Sequence, residues 1–156
     1  MEVKFEIKDY TIPKESIIFS RIKLSNEELR EAYKEFMGLA MHVFSNNGAV
    51  LGPCYLRYVD ADKDSTTVDV CLVVENKLPT TEKIFFEEYD EHIVRVAIGY
   101  CKGEYGDLPS AYTQMADWFG QQNETRANLP MIERFLNFKP GMPKNELLTE
   151  LIWPLA

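Results

Sequence analysis

With 156 residues, the chain is long enough for one domain with a real core, or for two small halves that share one. Its formal net charge is −8 and no basic run exceeds a pair, which excludes the clustered Lys and Arg that nucleic-acid binding needs. No apolar leader follows Met1 and no segment approaches a membrane span, so no membrane partner is expected and the reading is cytoplasmic.

Residues 3–10 alternate apolar and charged side chains, the pattern of a half-buried strand, and 16–24 make a second strand-like run. Ser25-Asn26-Glu27-Glu28 fits a capping box, opening a helix with Leu29, Ala32, Phe36, Leu39 and Val43 on its apolar stripe. Asn46-Asn47-Gly48 ends it. Two strands follow, roughly 53–59 and 66–74, joined by Asp60-Ala61-Asp62-Lys63-Asp64-Ser65. That turn mimics the start of an EF-hand loop. Ser65 stands where glycine is needed, however, and Cys71 where the bidentate Glu belongs, so an acidic hairpin turn is the better account. Residues 82–101 read as two strands divided around Asp90-Glu91. Asp107 is the expected N-cap of a second helix, with Pro109 in its first turn and Leu108, Ala111, Tyr112, Met115, Trp118 and Phe119 along its stripe. A strand within 128–138 and a last one over 147–153 complete the chain.

The order strand, helix, strand, strand is thus given twice, which divides one domain of residues 1–156 into half-modules of about 1–80 and 81–156. Cys54, Cys71 and Cys101 are odd in number and lie in apolar strand-like runs, as buried reduced thiols do. His42 and His92 are far apart with no Cys or carboxylate at ligand spacing, so neither a metal nor a cofactor is expected.

The 128–138 stretch holds the strongest functional signal. Alternation puts Met131, Glu133 and Phe135 on one face and Ile132, Arg134 and Leu136 on the other. A carboxylate flanked by Met and Phe is odd for a half-buried strand, although spacing alone fits a plain solvent face. The two halves also echo each other. Gly52-Pro53-Cys54-Tyr55-Leu56-Arg57-Tyr58-Val59 aligns with Leu129-Pro130-Met131-Ile132-Glu133-Arg134-Phe135-Leu136, and Glu133 stands where the first copy has Leu56. An acid replacing a core residue in one copy only is a candidate functional substitution.

Gly103-Glu104-Tyr105, Leu108, Tyr112, Trp118, the run Pro130 to Asn137, Pro143, Glu146 and the run Leu148 to Leu155 together resemble the GyrI-like family, as do Gly52-Pro53 and Val68 to Val74 in the first half. That family includes the effector-binding domains of AraC/Rob-type and MerR-type multidrug regulators. The resemblance implies an α+β fold: tandem strand-helix-strand-strand modules with pseudo-twofold symmetry, a curved antiparallel sheet and two main helices. It implies a cleft where the halves meet, taking small aromatic or cationic organic ligands, and it matches the family's central acid to Glu133. Members often carry His where this chain has Cys101, a departure that removes any imidazole-dependent role there. With no helix-turn-helix ahead of the first strand, a stand-alone member is expected.

Within such a cleft Glu133 would lose hydration, and a ligand cation would restore its charge balance while aromatic faces add cation–π attraction. Candidate lining residues are Tyr105, Trp118, Phe135 and Trp153, then Tyr55, Tyr58 and Tyr112. Each taken alone is an ordinary core aromatic. Met37, one helical turn from Met41, could lend an adaptable lining, though its spacing fits core packing equally. Glu150 is a second acid whose face the alternation leaves open. The expected function is capture of flat, apolar, often cationic compounds. The alternatives are hydrolytic opening of cyclopropane rings in DNA-alkylating natural products, with Glu133 and Tyr105 as the catalytic pair, and protein docking of the gyrase-inhibitor kind.

Overall fold

A computed structural model describes every residue, Met1–Ala156. The fold is α+β, with eight strands and two α-helices. In chain order these are β1 (Glu2–Ile12), β2 (Glu15–Ser25), α1 (Glu35–Ser45), β3 (Cys54–Ala61), β4 (Ser65–Val74), β5 (Ile84–Tyr89), β6 (His92–Lys102), α2 (Leu108–Phe119), β7 (Met131–Phe135) and β8 (Leu148–Pro154). They form two compact units. One is contiguous, Ile12–His92, and the other is split, joining Met1–Thr11 to Ile93–Ala156.

Each unit contains the strand-helix-strand-strand series that the sequence announces. In the contiguous unit it is β2-α1-β3-β4, with the strands ordered β3-β4-β2-β5. In the split unit it is β6-α2-β7-β8, ordered β7-β8-β6-β1. The internal plan is the same, and the echo between Leu56 and Glu133 is structural. Leu56 pairs with Val70 in the last strand of its series, and Glu133 pairs with Leu151 in the last strand of its own.

Several local expectations need correction. No capping box forms at Ser25, and the first helix is not continuous: a 3₁₀ segment, Leu29–Lys34, precedes α1, with no side-chain cap on either. Asp107 likewise makes no side-chain cap for α2, its backbone being already helical, while Pro109 does occupy the first turn. The strand around Glu133 is shorter than its sequence pattern, only the 5 residues of β7. Met37 is not core: with Met41 and Phe44 it is exposed on an outward stripe of α1, whereas Ala32, Leu39 and Val43 are buried as expected. Cys54, at the start of β3, is only partly buried, whereas Cys71 and Cys101 are buried as expected. Elsewhere the reading holds. Asn47 takes the left-handed conformation that ends α1, and Asp62 accepts both the Asp64 and Ser65 amides at 2.8 Å, making the acidic stretch a hairpin turn.

Packing in the split unit is close at Gly99 of β6. A Cβ there would meet the Met115 sulfur at 3.2 Å and the Phe5 ring at 3.4 Å, so glycine lets α2 settle on this face of the sheet. Leu108, Ala111 and Met115 are the residues α2 buries. The opposite face carries a cluster of Val96, Ile98 and Ile152 with Tyr10, Val94, Tyr100 and Ile132 against it. In the contiguous unit α1 packs on β4 and β2, and β4 is apolar almost throughout.

Asp69 interrupts that apolar run at 0% exposure. Arg21 grips its two oxygens at 2.7 and 3.0 Å, and Arg57 reaches Oδ2 at 2.9 Å while lying over the Phe19 ring. Register explains the convergence, because Asp69 pairs with Arg21 on one side and with Arg57 on the other. Asp69→Ala leaves the mostly buried Arg57 without this carboxylate and is expected to lower unfolding stability by about 3–5 kcal/mol. Arg21→Ala removes a half-exposed partner while Arg57 remains, and should cost about 1 kcal/mol. Urea denaturation of the two variants checks the ranking; equal losses would contradict it.

Candidate functional site

In the split unit, register places Cys101, Thr149 and Phe135 in one row across β6, β8 and β7, and Gly99, Leu151 and Glu133 in the next. All six share the face that α2 covers, since Gly99 approaches Met115 and Glu133 meets Tyr112 of the same helix. Glu133 is 2% exposed, and the Tyr112 hydroxyl donates to its Oε1 at 3.0 Å. Tyr112 is presented one helical turn after Leu108 and beside buried Ala111, so the turns that anchor α2 also aim the phenol at the carboxylate.

Aromatic rings follow from there. Phe135, two residues along the same face, meets the Tyr105 ring edge-on at 5.1 Å, and Phe138 lies 6.4 Å from Tyr105. Trp118 stacks on Phe5 at 5.2 Å. Trp153 takes the edge of Phe119 at 5.6 Å and carries the Arg126 guanidinium 4.9 Å from its ring centroid. The site therefore gathers Glu133, Tyr112, Phe135 and Tyr105 closely, with Trp118 toward the end of α2 and Trp153 toward the end of β8.

The remaining sequence candidates lie in the contiguous unit. Tyr55 is committed to a chain of hydroxyls, 2.8 Å from the Tyr89 oxygen, and Tyr89 donates to Glu15 at 2.8 Å. Tyr58 pairs with Val68 in the face that Leu56 shares, and Met37 is exposed on α1. Glu150 is resolved as well. It pairs with Arg134, on the face away from Glu133, and Tyr10 bridges the two, accepting from Arg134 and donating to Glu150 at 3.4 Å.

Sequence reading did not single out Thr149, Phe5, Phe119 or Arg126. The signal for Thr149 was present in β8 alternation and needed only the register to choose its face. Burial, and after it the Glu133 carboxylate, push the Cys101 thiol up to about 12, so it stays a neutral thiol beside the acid. No group of three or more His, Cys, Asp and Glu is placed to hold a metal ion; His42 bonds the Pro79 carbonyl and His92 that of Asp90.

Chemically, the arrangement offers one enclosed acid, a phenol able to donate or accept, and several aromatic rings. Glu133→Leu restores the side chain that the contiguous unit uses at the same position, and the part-buried Tyr112 hydroxyl must then find another partner. Thermal unfolding is expected to show equal or greater stability, because apolar replacement of a desolvated charge is commonly neutral or favourable by about 1–4 kcal/mol. A fall of several degrees would make the carboxylate a structural hub.

The GyrI-like small molecule binding domain model matches residues 4–156. Among solved structures, the EcmrR C-terminal domain superposes with a TM-score of 0.78 at 16% identity, covering 97% of this chain and 98% of that one. SAV2435 bound to tetraphenylphosphonium gives 0.66 at 12%, covering 97% and 94%. A hydrolase encoded by lin2189 from Listeria innocua gives 0.58 at 9%, covering 97% and 92%. A comparison with curated proteins finds no match. No helix is long and apolar enough to cross a membrane. The duplicated strand-helix-strand-strand plan, the acid enclosed beneath α2 and a family match over nearly the whole length agree, and the chain belongs to the GyrI-like small molecule binding domain family.

Proposed function

We propose that this domain captures flat, apolar, often cationic compounds of the multidrug type, with Glu133 as the charge-recognising residue. One observation carries the reading: a carboxylate at 2% exposure sits where the duplicate unit has Leu56, hydrogen-bonded by Tyr112 on a face lined by Phe135 and Tyr105. An acid desolvated in this way favours an incoming cation over a neutral molecule of the same shape. The rings supply cation–π attraction of about 0.5–2 kcal/mol each. That SAV2435, of the same fold, has been captured with tetraphenylphosphonium supports an organic cation as ligand. Three unpaired thiols suit a reducing compartment, and we place the protein in the cytoplasm.

A second reading rests on the Tyr112–Glu133 bond itself. An acid and an aromatic hydroxyl 3.0 Å apart can hold a water between protein and substrate, and a hydrolase shares the fold. Water would add across the strained bond of a cyclopropane ring, its oxygen going to one carbon and a proton to the other. The tyrosine in hydrogen-bond contact with the acid is Tyr112, so Tyr112 is proposed for the assisting role in place of Tyr105.

Calorimetric titration with a matched cationic and neutral dye tests the first reading. The cation should bind more tightly, and Glu133→Gln should reduce that preference by roughly thirtyfold, corresponding to about 2 kcal/mol or more for an enclosed pair that loses one partner. Equal affinities in the unmodified protein would remove electrostatic selection. The second reading predicts turnover of a cyclopropane-bearing alkylating compound that both Glu133→Gln and Tyr112→Phe abolish. Product-free incubation, followed by mass spectrometry, would leave binding alone.

A further inference from the structure

Glu133 pairs with Leu151, so its diagonal neighbours on β8 are Thr149 and Trp153, each roughly 7–8 Å away on the same face. Both are buried, at 1% and 6% exposure, and both carry a polar atom with no hydrogen-bond partner, Thr149 Oγ1 and Trp153 Nε1. Buried polar atoms are seldom left this way unless a ligand or a water completes them. The indole nitrogen is the more telling of the two, because it only donates.

Beside it stands Arg126, whose guanidinium covers the Trp153 ring at 4.9 Å and forms neither a hydrogen bond nor an ion pair. Its neighbour in sequence, Glu124, is already held by Arg95 at 2.6 Å. Arginines elsewhere on the sheet meet oxygen: Arg57 binds Asp69 and Glu87, and Arg134 binds Tyr10. Burial shifts Arg126 downward with no acid to offset it. The backbone around it is fixed, since Arg126 bridges to Leu155 and the Ala127 amide donates to the Pro154 carbonyl at 2.9 Å. Two donor-only groups are therefore held together on one ring, with no acceptor between them.

We propose that Arg126 and Trp153 form an oxyanion subsite, making the Glu133 site bipolar and its ligand an aromatic molecule with a basic nitrogen and a carboxylate one strand diagonal apart. The bipolar part rests on the cation reading of Glu133; the anion subsite stands without it. Arg126 lies at the surface over the ring, so an oxyanion arriving from solvent meets the guanidinium first and the indole N–H at the edge of the same ring. A net charge of −8 repels anions in general, which makes any retained carboxylate evidence for a local contact.

Two probes test it on the intact protein. Benzoate is titrated while the two indole N–H signals are followed by nitrogen-proton NMR, and the Trp153 signal is assigned by its loss in Trp153→Phe. The Trp153 signal should move, and Arg126→Met should abolish the movement; a benzoate titration that shifts neither indole, or only that of Trp118, overturns the subsite. Rhodamine 110, a carboxylate, and rhodamine 123, its methyl ester, then differ only in the anionic group. The carboxylate should bind about tenfold more tightly, and this ratio should fall to near one in both Arg126→Met and Trp153→Phe. Equal binding of the two dyes in the unmodified protein overturns the bipolar ligand. If neither dye binds while benzoate still moves the Trp153 signal, the subsite is supported and the cation reading of Glu133 is what fails.

Discussion

A carboxylate inside a packed sheet must be met by donors, because leaving it bare in an apolar setting costs several kcal/mol. Both units contain such a group, and their architecture is arranged around it. Asp69, at 0% exposure, is met by Arg21 and Arg57 from the strands on either side. Glu133 is met by the phenol of Tyr112 from the helix above. The first arrangement uses fixed opposite charges and closes the site. The second uses a neutral donor on a part-buried helical residue, with no fixed opposite charge in that bond.

The same constraint explains why two copies of one plan diverge. Where the contiguous unit has Leu56, packing alone suffices and the position needs nothing from α1. Substituting Glu133 at the matching position obliges α2 to supply a polar side chain, and Tyr112 is that side chain. The Arg on the strand after the helix is kept in both copies: Arg57 opposite Asp69, Arg134 opposite Glu150. Those pairs lie on the face away from Leu56 and Glu133, so one face of each unit preserves an arginine opposite an acid, directly bonded at Asp69 and bridged by Tyr10 at Glu150, while the other was free to change.

Much of this was legible from the chain. Alternation gave the face shared by Met131, Glu133 and Phe135, and the echo between halves marked Glu133 against Leu56. What could not be read was anything that depends on register or on competition at an element's end. Thr149 and Trp153 were on a known face relative to each other, yet only pairing with Glu133 put them beside it. Glu150 was ambiguous for the same reason. The capping box failed because Ser25 is the last residue of a strand and its neighbour Asn26 is drawn to the Asp62 and Lys63 carbonyls, leaving a 3₁₀ turn to begin the helix. Arg126 had no signal at all, being one arginine in an irregular stretch whose significance lies in what it does not pair with.

The split unit also has a consequence for how the molecule is made. Its edge strand β1 ends at Ile12, but β6, the strand it lies against, begins only at His92. The contiguous unit can close while the chain is still growing, since all its strands are present once Tyr89 has emerged. Throughout that interval β1 is an unpaired edge, with its neighbour not yet synthesised. Its alternation of Glu2, Lys4, Glu6 and Lys8 with apolar residues makes it a poor template for a stray strand, which would have to lay its own side chains beside a row of charges on one face. A strand made before the contiguous unit is therefore seated only after it, and its charges protect the growing chain before they serve the folded one.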